Sequence, residues 1–453
     1  MMCLRILVAA TLAGSILAWR PSWLPLPGRS GFVLGTLGVL LLCGCGLVWD
    51  REAWRAALRR HRLLAGVAGL VVLSRLASAV PAEAPLLAVL QSLRVAVVLG
   101  FLLVTIVVTE RDPGLRRVLA WTAAGLIALH GLLYLGGVLS PALGGRVFEG
   151  LLHQRAGGLP RFMGLVAGPG ACGLLMICCA GLVRDLRHRR LRTLLTVGAL
   201  LLAGSTFSLP GLAVGVALVW RLVEPRVPRR GLTVGAAAVC LLVLHVQPLQ
   251  LEVAGRSVTL GKLPPGWATE GLGPAQMPVE EVRGCGIRLR YVRTAYHALA
   301  ARSLECFAAH PVLGVGGRNH AVSCPVTTMN TVGEWSAGRL AHSEYTGLLA
   351  EHGLIGLVAT LLLVLVLVGR YRPVDEDRWR TAALVAVLVS GFAGEVWYQF
   401  PVAALLGVSV VPDPGASLPT HGAPVGPLLG VHPPSTQPPF STHGHVPGRA
   451  LSV

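Results

Sequence analysis

Apolar runs of bilayer length recur along this 453-residue chain and constrain its fold more than any other feature. Hydrophobic residues make up 53% of the chain and charged residues only 13%, which is too apolar for a soluble protein of this size. Because an α-helix needs about 20 apolar residues to cross the hydrocarbon core of a bilayer, these runs indicate membrane helices. The sequence therefore predicts an all-α polytopic membrane protein with about 11–12 transmembrane helices and one large extracytoplasmic loop.

Eleven apolar segments are predicted to cross the bilayer, and a further run at 400–411 has about half the required length. The predicted spans are residues 4–19, 31–49, 63–80, 93–109, 118–139, 164–183, 193–208, 210–223, 232–247, 346–369 and 381–400. They divide the chain into N-terminal transmembrane helices (1–247), an extracytoplasmic loop (248–345), C-terminal transmembrane helices (346–411) and a disordered tail rich in Pro and His (412–453). Within the loop, residues 288–307 place apolar side chains at helical spacing, which predicts an amphipathic helix.

Arginine-rich connectors alternate with the predicted spans. The chain has 39 basic and 21 acidic residues, and its single lysine is Lys262. Five connectors hold 20 of the arginines and lie at residues 51–62, 111–117, 184–192, 226–230 and 370–380. By the positive-inside rule these connectors face the cytoplasm and the long loop lies on the other side. Because membrane spans interrupt the basic groups, the charge indicates membrane orientation and not nucleic-acid binding.

The spacing of the cysteines indicates structural roles. Cys285, Cys306 and Cys324 lie in the long loop, and in an extracytoplasmic loop one pair of them can form a disulfide. The other cysteines lie in apolar runs, where they act as small hydrophobic residues. Because the chain has no CxxC or Cys/His spacing typical of a metal site, we expect no metal and no cofactor.

The junction between the long loop and the next apolar segment is rich in ionisable groups. Residues 342–356 read HSEYTGLLAEHGLIG and lead into an apolar run that ends at Gly369. The junction places the imidazole of His342 and the carboxylates of Glu344 and Glu351 at the boundary between water and lipid. A lipid-linked substrate would present its head group at this depth, and a histidine can accept a proton there near neutral pH.

Three segments contain arginine, proline, glycine and histidine in a characteristic order. The first is Arg161-Phe162-Met163-Gly164 followed by Pro169, the second is Arg290 or Arg293 followed by Pro311-Val312-Leu313-Gly314-Val315-Gly316, and the third is His342-Ser343, nine residues, then Gly353 and Gly356. In this order, with the second segment inside a large outer loop and the third at the end of that loop, they resemble the motifs of the O-antigen ligase and polymerase family of membrane glycosyltransferases. The resemblance covers residues 60–400, approximately.

This resemblance implies an enzyme of the bacterial cytoplasmic (inner) membrane that transfers a glycan from an undecaprenyl-pyrophosphate donor to a hydroxyl group on a lipid or glycan acceptor. Such a reaction needs cations that hold the departing pyrophosphate and a base that takes the acceptor proton. By position, the resemblance implies His342 as the base and Arg161 and Arg293 as pyrophosphate ligands. Arg290 competes with Arg293 for its place. Glu344 is a further candidate for substrate binding. It can also orient His342.

One departure from the family and several alternatives remain open at this point. Leu209 stands where family members commonly have an arginine, which puts donor binding in doubt. A polysaccharide polymerase or a protein O-oligosaccharyltransferase would keep the chemistry and change the acceptor. A non-catalytic transporter is an alternative from another class, because Arg75 and Arg94 within apolar runs suit an anion pathway. His130 and Glu395 are candidates to pair with such arginines.

Overall fold

The structure, a computed structural model, describes most of the N-terminal half of the chain and separate parts of the rest. The described residues are 2–15, 30–49, 51–139, 152–156, 159–162, 164–166, 169–206, 246–253, 256–260, 279–284, 287–293, 295–325, 328–329, 335–336, 343–370, 378–391 and 399–411. The predicted spans at 210–223 and 232–247, apart from residues 246–247, lie outside this set. The predicted tail at 412–453 lies outside it as well.

Helices account for the apolar segments that the structure describes. They are α1 (Met2–Ser15), α2 (Ser30–Trp49), α3 (Arg51–Arg60), α4 (Arg62–Ala77), α5 (Pro85–Arg111), α6 (Gly114–Leu139), α7 (Pro169–Leu182), α8 (Arg189–Ser205), α9 (Ala295–Ala309), α10 (His320–Ser323), α11 (Glu344–Arg370), α12 (Arg378–Ser390) and α13 (Phe400–Ser409). Among the described residues, three helices are long and apolar enough to cross a membrane, at Pro85–Arg111, Gly114–Gly136 and Glu344–Arg370. Shorter apolar helices lie within α1, α2, α12 and α13. The prediction of a helical membrane protein is confirmed in this general form, whereas the number of spans stays a prediction.

Short β-strands lie between the helices, so the all-α prediction holds for the apolar segments and not for the connecting loops. The strands are β1 (Leu152–Ala156), β2 (Leu159–Phe162), β3 (Val246–Val253), β4 (Arg256–Leu260), β5 (Val279–Gly284), β6 (Ile287–Arg293), β7 (Thr328–Met329) and β8 (Trp335–Ser336). The strands β1 and β2 form a hairpin, as do β7 and β8. The other four form an antiparallel sheet in the order β4-β3-β6-β5.

The predicted amphipathic helix at 288–307 needs correction. Its first part is β6, and the helix begins only at Ala295 as α9. The sequence Ile-Arg-Leu-Arg-Tyr at 287–291 alternates apolar and charged residues, which is the period of a strand and not of a helix. The helical spacing that the prediction used is genuine only beyond Thr294.

Close contacts at glycine hold the membrane helices together. A Cβ atom on Gly38 of α2 would lie 2.2 Å from the hydroxyl oxygen of Thr11 in α1, and one on Gly407 of α13 would lie 2.7 Å from the side chain of Thr105 in α5. Small residues let helix backbones approach closely where lipid supplies no hydrophobic driving force. The hydroxyls of Thr11 and Thr105 bond to the carbonyl four residues earlier in their own helices, so their polar groups are satisfied inside the apolar packing.

Charged connectors meet at one end of the helices, which we call the connector end. Arg5, in the first turn of α1, forms an ion pair with Asp112 between α5 and α6. His61, between α3 and α4, has Nε2 2.9 Å from the Glu110 carboxylate at the end of α5. Its Nδ1 atom contacts Arg370 at the end of α11.

Two further contacts belong to the connector end. Arg380 in α12 donates to the Asp185 carboxylate after α7 at 2.9 Å, and Arg116 in α6 donates to the backbone carbonyl of Val411 after α13. Four of the five predicted cytoplasmic connectors contribute residues to these contacts, and the fifth, 226–230, lies outside the described residues. This grouping agrees with connectors that share one side of a membrane, although the identity of that side stays a prediction.

The helices α4, α5 and α11 run from the connector end to a second end, which we call the turn end. There Ser78, just after α4, bonds to His352 in α11. The backbone of Ala84, just before α5, bonds to the side chain of Asn319 in the long loop, through Ala84 N–Asn319 Oδ1 at 2.7 Å and Asn319 Nδ2–Ala84 O at 3.2 Å. The backbone amide of Glu344 donates to the carbonyl of Gly391 after α12 at 2.7 Å. The long loop is therefore packed onto the ends of three helices.

Candidate functional site

The structure places the sequence-predicted site residues on three different elements. Glu344 is buried in the first turn of α11. Arg161 lies in β2, and Arg290 and Arg293 lie in β6, but the side chains of these arginines are outside the described part of the structure. His342 is also outside it, one position before Ser343. A meeting of the arginines with His342 therefore stays a prediction.

A break in α11 is the main feature of the turn end. Gly353 has φ 60° and ψ −161°, which are not helical values. Such a break deprives carbonyl groups before it and amide groups after it of their partners within the helix. The turn at 311–316 supplies these partners through four backbone hydrogen bonds. They are Val315 N–Ala350 O (3.0 Å), Gly316 N–Glu351 O (2.8 Å), Leu354 N–Pro311 O (2.9 Å) and Ile355 N–Val312 O (3.3 Å).

Glycines are required on both sides of this contact. A Cβ on Gly353 would lie 2.4 Å from the carbonyl oxygen of Val312, and one on Gly314 would lie 2.4 Å from the backbone of Glu351. Both residues also have positive φ, at 60° and 69°, where side chains other than glycine are strained. The contact therefore excludes any side chain at these two positions. It brings the second and third motifs of the sequence together as one structural unit.

Buried polar side chains surround the break. Arg75 in α4 and Glu344 in α11 have side chains only 5% exposed each, with Nη2 and Oε1 4.0 Å apart. His352, directly before the break, is buried, and its Nδ1 lies 2.8 Å from the hydroxyl oxygen of Ser78. Glu351 is buried beside it. Since burying charges is unfavourable unless they are paired, this group of residues is a candidate functional site.

Ser343 fixes the start of α11. Its hydroxyl oxygen accepts from the amide of Thr346 at 3.4 Å, and its carbonyl accepts from the amide of Gly347 at 2.9 Å. A serine in this position caps the first turn of a helix. The serine of the His-Ser pair in the third motif therefore has a structural role as the cap of α11, and the histidine is the residue directly before this cap.

A disulfide between Cys306 and Cys324 closes the segment that contains the turn. Of the three cysteines considered in the loop, these two form the bond, whereas Cys285 lies outside the described residues. The disulfide packs with Val315 of the turn and Ala350 of α11 in a small apolar cluster. It therefore stabilises the position in which the turn meets the helix break.

The first motif is anchored separately by His130 in α6. His130 Nδ1 donates to the Leu126 carbonyl at 2.8 Å, and Nε2 accepts from the Leu165 amide at 3.3 Å. Gly164, with φ 63°, lies against this imidazole, where a Cβ would be 2.6 Å from the ring. Backbone groups occupy both ring nitrogens, so the expected pairing of His130 with a buried arginine is wrong. His130 instead orders the turn that follows Arg161.

Sequence reasoning gave little weight to three residues of this site. Arg75 was connected only with an anion pathway, although a charge inside an apolar run is a sufficient signal for a functional site. His352 stood in the quoted junction without a role, and Ser78 had no signal, because nothing local distinguishes a serine at the end of an apolar run. Within the described residues, no group of three or more His, Cys, Asp or Glu side chains could hold a metal ion.

A comparison of this chain with protein-family models and with curated proteins finds no match.

Proposed function

We propose that this protein is a membrane glycosyltransferase that transfers a glycan from an undecaprenyl-pyrophosphate donor to an acceptor hydroxyl. The observation that carries the proposal is the contact between the turn at 311–316 and the break at Gly353. Both segments carry part of the resemblance to one family of enzymes, and they lie apart in the chain. Their union in one buried polar site supports a common function.

The depth of the site supports chemistry on a lipid head group. The 17 residues of α11 that follow Gly353, up to Arg370 at the connector end, span roughly 26 Å. Because this is close to the thickness of the hydrocarbon core, the break would lie near one membrane surface and not at the midplane. A pyrophosphate attached to a lipid would also lie near a surface.

The site would act by direct displacement. His342 would take the proton of the acceptor hydroxyl, whose oxygen forms the new bond to the anomeric carbon. The bond from that carbon to the pyrophosphate oxygen breaks, and its electron pair leaves with the pyrophosphate. Arg161 and Arg293, or Arg290, would stabilise the leaving group, since a guanidinium can donate two hydrogen bonds to phosphate oxygens. The anomeric configuration would be inverted.

The side of the membrane and the acceptor are part of the same proposal. The Cys306–Cys324 disulfide supports an extracytoplasmic position for the loop, because such bonds persist in oxidising compartments. A bacterial inner membrane with the loop on its outer face would meet this condition. A lipid acceptor, a growing polysaccharide and a protein hydroxyl all fit the chemistry equally.

A transporter is the second candidate, and the broken helix α11 favours it. Discontinuous helices form the binding sites of many secondary transporters, where free half-helix ends contact the substrate or its coupling ion. Here the turn at 311–316 already occupies both faces of the break through its four hydrogen bonds. The turn therefore fills the break, and this favours a structural role for the break over a role in transport.

Glycan transfer by the purified protein tests the proposal. The protein would be reconstituted with an undecaprenyl-pyrophosphate-linked oligosaccharide and candidate acceptors, and His342→Ala would be compared with His310→Ala, which changes an exposed histidine of the same loop. We expect transfer by the wild type and by His310→Ala, and a loss of at least about 100-fold for His342→Ala. Full transfer by a correctly inserted His342→Ala protein would remove the mechanism. Solute uptake by proteoliposomes without any lipid-linked glycan would favour the transporter.

A further inference from the structure

His352 has one ring nitrogen in use and one unused. The Ser78 hydroxyl donates its single hydrogen to the carbonyl of Arg75 at 2.7 Å, so its oxygen accepts from His352 Nδ1–H at 2.8 Å. This leaves Nε2 without the hydrogen. Nε2 is buried and has no hydrogen-bond partner among the described residues. In a buried position the uncharged ring has the lower free energy, so Nε2 presents a lone pair.

Gly317 and Gln91 lie beside the ring, near the edge that carries this nitrogen. A Cβ on Gly317 would lie 3.3 Å from His352 Cε1, the carbon that joins the two ring nitrogens, and 3.3 Å from Gln91 Cγ. Arg75 is close enough for its charge to act on the ring. A buried polar atom without a protein partner normally bonds to water or to a ligand. His352 Nε2 is therefore an oriented hydrogen-bond acceptor in a site that also contains the Arg75 guanidinium and the Glu344 carboxylate.

We propose that His352 Nε2 binds a hydroxyl group of the glycan substrate. A lone pair on an uncharged ring selects a hydrogen-bond donor, and hydroxyl groups are the donors that sugars carry in greatest number. The Ser78 bond fixes the ring orientation, while Arg75 and Glu344 lie on the same side of the helix break. The inference rests on the proposed function and adds a substrate-binding residue that is not among the residues specified by the three motifs.

Two substitutions at His352 separate substrate binding from a structural role. His352→Asn keeps a polar group near the position of Nδ1 and can still bond to Ser78, but it has nothing at Nε2. His352→Gln places an acceptor near the position of Nε2 and gives up the Ser78 bond. If Nε2 binds substrate, His352→Asn raises KM for the lipid-linked glycan about tenfold, and His352→Gln changes it by less than about threefold. Thermal stability of each variant, measured in detergent, reports the structural effect separately.

The opposite ranking would overturn the inference. A structural role predicts that His352→Asn resembles the wild type, while His352→Gln and Ser78→Ala are both impaired. Equal KM values for the two His352 variants would also contradict it. If His352→Asn does not fold, Gly317→Ala serves instead, because its methyl group narrows the space beside Cε1 and should raise KM by a similar factor; an unchanged KM would count against the inference.

The experiment distinguishes this inference from the proposed function. If the wild type transfers glycan and His352→Asn leaves the KM for the lipid-linked glycan unchanged, the inference is overturned and the proposed function is not. Absence of transfer by the wild type would contradict the proposed function, and direct binding of the same lipid-linked oligosaccharide would then decide the inference. Weaker binding of the oligosaccharide by His352→Asn than by His352→Gln would support the inference. Equal binding by the two variants, or no binding by any variant, would overturn it.

Discussion

The two ends of the helices are held together by different means. At the connector end, ion pairs between charged side chains link one helix to another, as Arg5–Asp112 and Arg380–Asp185 do. At the turn end, backbone hydrogen bonds join the loop to α11, and glycines allow the contact. Side chains of an ion pair can adjust to small movements, whereas the backbone contact leaves no space for a Cβ atom on Gly314 or Gly353. The turn end is therefore expected to be the more sensitive of the two ends to substitution.

Gly353→Ala should produce the largest effect, because it breaks the contact at the turn end. The methyl group would meet the Val312 carbonyl and the residue would be held at positive φ. Loss of four hydrogen bonds at about 1 kcal/mol each, with about 1 kcal/mol of backbone strain, predicts destabilisation by about 5 kcal/mol. Thermal unfolding in detergent would measure it.

Gly369→Ala is the matched control for that change. Gly369 lies in the same helix, and a Cβ there meets nothing within 4 Å. Alanine in a helix interior is favoured over glycine by about 1 kcal/mol, so stability should be unchanged or slightly higher. Similar losses in both variants would contradict the steric account of the break.

Arg75→Met should have the next largest effect. It removes the guanidinium whose Nη2 lies 4.0 Å from the buried Glu344 carboxylate, and removing one partner of a buried pair destabilises by about 3–5 kcal/mol. The double variant Arg75→Met/Glu344→Gln should recover part of this loss, because no uncompensated charge remains at the pair. The single variant Glu344→Gln completes the comparison. If Glu344→Gln lowers the stability of Arg75→Met by as much as it lowers that of the wild type, the two residues are not coupled.

Removal of the disulfide by Cys306→Ser/Cys324→Ser should have an intermediate effect. The bond closes a loop with a sequence separation of 18, for which loop-closure entropy predicts about 3 kcal/mol. Reductant should lower the thermal stability of the wild type and leave the double variant unchanged. If reductant lowers both by the same amount, its effect comes from another source.

Arg60→Met at the connector end should have the smallest effect. The Arg60 side chain is 71% exposed, and its Nη1 lies 3.5 Å from the Glu110 carboxylate. Exposed pairs of this kind contribute about 1 kcal/mol or less. A loss as large as that of Arg75→Met would remove the contrast between the two ends.

The site shows where sequence reasoning succeeds and where it stops. The 311–316 turn and the 342–356 junction were both selected from local spacing, and both belong to the turn end. Their contact was not foreseen, because a glycine pattern does not specify which distant backbone it must accommodate. The strand at 287–293 was missed because the apolar spacing of the following helix was extended over a segment of alternating residues.

By itself the sequence determined that this protein is built from apolar helices with arginine-rich connectors, because hydropathy and charge act on each segment locally. It also determined that a cysteine pair in the long loop was available for a disulfide. Only the tertiary structure decided that the turn fills the break in α11, that Arg75 meets Glu344 and that Ser78 orients His352. Each of these contacts joins residues far apart in the chain, and their free energy depends on distances that exist only after the helices have packed.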